Sequence, residues 1–159
     1  MSKFRTKAEI LFFEFIAPIL GIELNGHLSP NDLATEVLTE KAMAVAGGYK
    51  WVGDKNLEYD FDDKSDCKTS SIKYPNCIKG TITSTGSKVG PLRVPIANII
   101  ADTVDYFFIP LKDVRELERP SSNKCGTMQI DYSYNIAENH YGRIEPFRCK
   151  DKKDCATRK

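Results

Sequence analysis

The sequence has no apolar run of the length a bilayer demands. Ile10 to Leu20 is an eleven-residue run that Glu14 interrupts, whereas a transmembrane helix needs about 20 apolar residues. Lys3, Arg5 and Lys7 precede that run in the manner of a secretion signal, but no small-residue cleavage site follows, so none is expected. A disulfide framework is lacking too: five cysteines, an odd number at irregular spacings, point to a reducing cytoplasm. There is no internal repeat, P-loop, G-x-S-x-G or H-E-x-x-H pattern. Nor is there an excess of one charge over the whole chain, whose net charge is +1. The distribution is uneven, however. Residues 1 to 66 carry seven Lys/Arg against twelve Asp/Glu, and residues 67 to 159 carry sixteen against ten. An acidic half and a basic half suit either a nucleic-acid enzyme or internal complementarity.

What is present is an ordinary globular composition, with 159 residues, enough to bury a core without metals or disulfides. Thr6 and Glu9 form a capping box for a helix over residues 7 to 20, bent by Pro18 and stopped by Gly21. Glu14 in it needs a partner, as a satisfied core carboxylate or as an outer acid of a site. Ser29, Pro30 and Asp32 open a second helix that Gly47-Gly48 ends. Its apolar face is expected from Leu33, Val37, Leu38, Ala42, Ala44 and Val45, with Glu36 and Glu40 one turn apart. Strands are expected at Tyr49 to Val52, Leu92 to Ile100, Asp105 to Pro110 and Thr127 to Tyr134, with Pro95 demoting part of the second to an edge or bulge. Leu111 to Leu117 reads as a short helix, and Tyr74-Pro75-Asn76 as a turn.

The chemistry concentrates in residues 56 to 72. Leu57 to Phe61 and Ser65 to Ile72 flank Asp62-Asp63-Lys64 and read as a β-hairpin. That register sets Asp60 opposite Asp66 and Glu58 opposite Lys68, all on one face. Facing carboxylates repel unless they are solvated or a cation lies between them. Hard oxygen donors suit Mg²⁺, which keeps several waters. One such water can attack while Lys68 orients it or stabilises a pentavalent phosphate, so metal-assisted phosphodiester hydrolysis is implied.

Asp60, then Asp66-Cys67-Lys68, resembles the PD-(D/E)XK signature of the restriction-endonuclease-like nucleases, although Tyr59 stands where that signature has proline. The short gap between the acids is similar to that of mismatch-repair nicking enzymes in the superfamily, and Lys68-Thr69 is similar to the Lys-Thr of many restriction enzymes. Asp54 and Asp62 are alternative first acids. The resemblance implies an α/β fold, a mixed central sheet with flanking helices around a restriction-endonuclease-like core. It also implies Mg²⁺, for which Mn²⁺ substitutes, held by Asp60, Asp66 and the Cys67 carbonyl, with the Cys67 thiol facing away. Glu40 would complete the shell, the alternative being an ordinary exposed helix glutamate.

The expected organisation is a nuclease-like core over residues 1 to 120 and an irregular basic extension over 121 to 159 packed on the same domain. DNA is the expected partner, met by Lys73, Lys88, Arg93, His140 and Arg143, with hydroxyls and glycines of the 79 to 93 stretch able to approach phosphates. Tyr132, Tyr134 and Tyr141 are candidates for stacking on bases or for packing. Cutting both strands would call for a two-fold homodimer, whereas nicking would not. Cys125, His140, Cys149 and Cys155 offer four zinc donors, but their gaps match no tight knuckle pattern, so zinc ranks well below Mg²⁺. The rival function is a non-catalytic interaction or nucleic-acid-binding module, zinc-stabilised in one version.

Overall fold

The computed structural model describes residues 5–20, 36–53, 58–73, 78–121 and 126–159. The first helix, α1, runs through Lys7–Leu11, a π-helical turn Phe12–Ile16 and Ala17–Leu20. The capping box forms: Thr6 Oγ1 accepts from the Glu9 amide at 3.1 Å, and Glu9 Oε1 accepts from the Thr6 amide at 3.2 Å. Pro18 has no N–H for the carbonyl of Glu14, four residues back. Lys152 Nζ donates to that oxygen instead, at 2.5 Å. The proline therefore coincides with a widened π turn rather than a break. Helix α2, Glu36–Gly47, ends as Gly47-Gly48 foretells. Gly48 adopts φ +75°, its amide bonds Val45 O, and the Tyr49 amide reaches back to Ala44 O, which is a Schellman closure. Gly21, the cap at Ser29 and Pro30, Leu33, and the turn at Tyr74 lie outside the described residues. Thr39, Ala42, Met43 and Ala44 form the buried face of α2, while Val37 and Val45 are exposed, so the expected apolar stripe is rotated.

The main sheet is built on one central strand. Strands β1 (Asp66–Cys67), β2 (Ser70–Ile72), β3 (Lys79–Ile82), β4 (Leu92–Asn98) and β5 (Thr103–Ile109) follow in order. Both β1 and β2 pair with β4 in parallel and in one register, while β5 pairs with its other side antiparallel. In that register Lys68 faces Val94 and donates its amide to Arg93 O at 3.0 Å. The reciprocal donor to the Lys68 carbonyl would be the amide of residue 95, which is Pro95. The missing N–H accounts for the break between β1 and β2. Pro95 thus sits in the central strand, not at an edge as expected, because the opposing strand is interrupted where the proline cannot donate.

The expected hairpin forms only its turn, where the Asp60 and Phe61 amides donate to Ser65 O at 3.1 and 3.2 Å, and among the described residues no strand ladder follows. Asp66–Ile72 finds its partner in β4, and residues 60 to 62 turn back instead onto 50 to 52, through a Trp51–Phe61 bridge and the Val52 and Asp62 amides. Helix α3 (Leu111–Leu117) follows β5, and a second antiparallel sheet orders β3, β7 (Met128–Ser133) and β6 (Arg119–Pro120). A 3₁₀ turn (Gly142–Phe147) and helix α4 (Lys152–Thr157) follow. The protein is a mixed α/β structure with helices alongside its sheets.

Alternation divides the core between the two faces of the main sheet. Tyr106, Phe108 and Cys67 pack with α1, α2, Cys155 and Ala156 on one side. Leu92, Val94, Ile96, Phe107 and Ile109 pack with Ile130, Tyr132, Tyr134, Tyr141 and Ile144 on the other. The three tyrosines are therefore core residues, exposed by 3% or less, and not stacking platforms. Among the described residues, no helix is long and apolar enough to cross a membrane.

Candidate active site

Asp66 leaves β1 on the side of the sheet that Leu92 occupies, and Lys68 follows two residues later on the same side. The Cys67 side chain goes the other way, into the core, where burial, aided by the charges of Asp60, Glu40 and Asp66, raises its thiol well above the ordinary range. The Cys67 amide points to the free edge of the strand and bonds Asp60 Oδ2 at 2.9 Å. Because a strand residue's N–H and C=O lie on the same side, the Cys67 carbonyl faces that edge too. Glu40 arrives from α2, held by Trp51 Nε1 at 3.1 Å from its Oε1. Glu40, Asp60, Asp66, Cys67, Lys68, Thr69, Thr83, Ser84 and Lys88 line one cavity of about 170 Å³.

Two of these positions depend on a close backbone approach. A Cβ on Gly90 would run into the carbonyl of Lys64, so only glycine lets the 88–91 loop lie against the turn leading into β1. That contact brings Lys88 to Asp66, with Nζ 3.3 Å from Oδ1; Lys68 Nζ is 4.0 Å from Oδ2.

The electrostatics are unbalanced. Asp66 is 2% exposed, and its Oδ1, though near Lys88, is not aligned for a hydrogen bond and has no hydrogen-bond partner. Burial first, then the charge of Asp60, push its carboxyl up to about 7 against the pull of Lys88 and Lys68. Burial likewise pushes Glu40 up to about 8; the Trp51 N–H opposes this, while the hydrogen bond and charge of Asp60 and the charge of Asp66 add to it. Three carboxyls thus share one recess, two of them resisting ionisation.

Among the described residues, no group of three or more His, Cys, Asp or Glu side chains is arranged to hold a metal ion. The smaller donor set still fits Mg²⁺, which takes one or two carboxylates and keeps waters. A buried carboxylate oxygen that makes no aligned hydrogen bond, with one ammonium at 3.3 Å and a second carboxylate beside it, is an acceptor that a further cation would satisfy.

The other sequence candidates disperse. Asp54 lies outside the described residues; Asp62 is exposed and bonds the Lys50 amide. Glu58 is exposed and does not line the cavity. Glu14 binds Tyr106 and Lys152 on α1, so it is no outer acid of this site. Arg93 is wholly buried, so it cannot meet DNA. All five of its donors are used, on Ser65, Tyr49, Asp63 and the carbonyls of Cys155 and Arg158. Lys88 is 7% exposed and serves Asp66 from within the cavity rather than as a surface contact. Lys73, His140 and Arg143 are exposed and do not line this cavity. Cys125 lies outside the described residues, Cys149 and Cys155 are buried free thiols, and His140 accepts from the Gly142 amide at its Nδ1.

Sequence reasoning missed Trp51, which fixes Glu40, and the direct pairing of Lys88 with Asp66. Trp51 lies between Glu40 and Asp60 in the chain, but nothing local marks its indole as a donor to either. The chain matches no known protein family and no curated protein.

Proposed function

We propose that the chain is a Mg²⁺-dependent deoxyribonuclease of the PD-(D/E)XK type, with a restriction-endonuclease-like core, hydrolysing phosphodiester bonds at the Asp60–Asp66–Lys68 cavity. What supports this reading is the convergence of Glu40, Asp60, Asp66 and Lys68 around one small recess in which Asp66 Oδ1 makes no aligned hydrogen bond, its nearest cation being Lys88 Nζ at 3.3 Å.

In this reading Asp60 and Asp66 hold the ion, and the edge-facing Cys67 carbonyl is a third ligand. When bound, Mg²⁺ supplies an activated water at neutral pH and offsets charge on the phosphate. Lys68, whose ammonium lies 4.0 Å from Asp66 Oδ2, would hydrogen-bond the attacking water or a phosphate oxygen, where negative charge would grow. Lys88 keeps Asp66 from facing the neighbouring carboxylates alone. Glu40, with its carboxyl pushed up to about 8, holds a proton at neutral pH in the absence of a bound metal ion and is hydrogen-bonded to Asp60.

Supercoiled plasmid incubated with the protein and millimolar Mg²⁺ should be nicked or linearised, and should stay intact with chelator. No cleavage of any polynucleotide with Mg²⁺ or Mn²⁺ would leave a non-catalytic binding role and sink the proposal.

A further inference from the structure

The carboxylate recess does not end at Ser84. Thr83 and Ser84 also line a second cavity of about 380 Å³ with Thr81, Ser121, Thr127, Met128 and Gln129. Thr81 and Gln129 in turn line a third, of about 550 Å³, with Lys79, Arg119, Asp131 and Arg143. The shared walls make one trough along β3, from Asp66 to the basic end at Lys79 and Arg143. Ser84, at the junction, has φ +54°, a left-handed backbone that non-glycine residues hold only where the surroundings impose it.

The lining says what would lie there. Thr81, Thr83, Ser84, Ser121, Thr127 and Gln129 present hydroxyl and amide groups, which bond phosphate and sugar oxygens. Beyond the carboxylate recess, in the second and third cavities, Lys79, Arg119 and Arg143 outnumber the one lining carboxylate, Asp131, which Arg119 already engages. Among the described residues, the one aromatic lining the three cavities is Tyr132, 3% exposed, so these residues offer no ring to an unstacked base. Lys79 to Ser84 covers roughly 15 Å at about 3.3 Å per residue. That equals about four to five base-pair steps at about 3.4 Å each.

We infer that this trough seats the phosphate backbone of duplex DNA, leading one strand from Lys79 and Arg143 down to the Asp66 recess without reading bases. The inference rests on the nuclease reading for its direction, but binding can be measured without cleavage.

The test uses fluorescence anisotropy with a labelled 20-base-pair duplex in chelator, in an Asp66→Asn background. Lys79→Ala/Arg143→Ala should weaken binding at least tenfold near 100 mM salt. It should also lower the slope of log K against log salt by about 2, because each neutralised phosphate contributes about 0.9. Lys112→Ala/Lys153→Ala removes equal charge from exposed residues outside the trough and should leave the slope nearly unchanged. The single strand of the same length should bind more weakly than the duplex. An unchanged affinity and slope for Lys79→Ala/Arg143→Ala, or preference for the single strand, overturns the inference even if plasmid is cut. Trough-dependent duplex binding by a protein that never cuts supports the inference while removing the hydrolytic reading.

Discussion

Two acid–base clusters flank the same pair of strands, one around Arg93 and one around Asp66, and they are opposites. Around Arg93 every N–H has an acceptor, the guanidinium lies over the rings of Tyr49 and Phe108, and Asp63 takes up its charge at 2.9 Å. Burial would raise Asp63, but hydrogen bonds from Ser65 and from Arg93 outweigh it and its carboxyl titrates below the ordinary value. Around Asp66 the balance reverses: burial and a neighbouring acid outweigh two lysines, and an oxygen is left without a hydrogen bond. The first cluster is complete and holds the fold together. The second leaves a buried carboxylate oxygen with no aligned hydrogen bond, an imbalance that a bound cation would relieve.

The comparison breaks most visibly in catalysis. Asp66→Asn and Lys68→Ala should each lower Mg²⁺-dependent plasmid cleavage by at least about a thousandfold, on the order of 4 kcal/mol in barrier. Asp63→Asn, one turn away, should leave the rate of the folded fraction within a few-fold. Equal losses from Asp63→Asn and Asp66→Asn would erase the distinction. Stability should sort the other way. Arg93→Ala strands Asp63 and two carbonyls, at a cost of roughly 3–5 kcal/mol in urea unfolding. Arg93→Lys keeps the charge but supplies three donors for five positions, so it should recover only part of that.

How far each cluster was legible follows from the same contrast. Asp66 and Lys68 share a face of any strand, whichever strand pairs with it, so alternation placed them correctly although the hairpin's ladder did not form. Partner choice was not legible, because β1 finds β4 beyond β3, and Trp51 takes the place expected of the hairpin's second strand. Arg93 read as a surface cation because its acceptors include carbonyls of Cys155 and Arg158, about sixty residues on, which no local pattern announces. Pro95 read as an edge signal because the gap that accommodates it is in a different strand. Helices with local signals fared better: Thr6 with Glu9, Gly47-Gly48 and Leu111–Leu117 all stand where the chain indicated.

A smaller effect separates the clusters by pH. Asp66 and Glu40 titrate at about 7 and about 8 in the fold, above their usual 3.8 and 4.5. Folding therefore takes up protons, and the stability linked to these groups is full below about pH 4 and lost as pH rises through 7 to 8. Asp63 works in the opposite sense, its contribution present at neutral pH and lost on acidification. Asp66→Asn should flatten the decline between pH 5 and 8 and, without divalent ions, raise unfolding free energy at pH 8. Asp63→Asn should lower it. A less stable Asp66→Asn protein at pH 8 would mean that Lys68 and Lys88 fully satisfy the carboxylate.

The smallest expected effect is also the most direct measure of incompleteness. An ion that binds the folded chain alone stabilises it by RT ln(1 + [L]/Kd), roughly 1.4 kcal/mol at ten times Kd. At pH 8, where Asp66 is mostly ionised, Mg²⁺ should raise the melting temperature by a few degrees. At pH 5.5 protons occupy both Asp66 and Glu40, the ion must displace them, and the same Mg²⁺ concentration should give a much smaller shift. Asp66→Asn should abolish the shift at pH 8, whereas Asp63→Asn should retain it from a lower starting temperature. Thermal unfolding of the three proteins at two pH values, with calcium as a cleavage-silent comparison, would show whether the ion answers the charge imbalance at Asp66 or merely screens the surface. In the second case all three proteins shift alike.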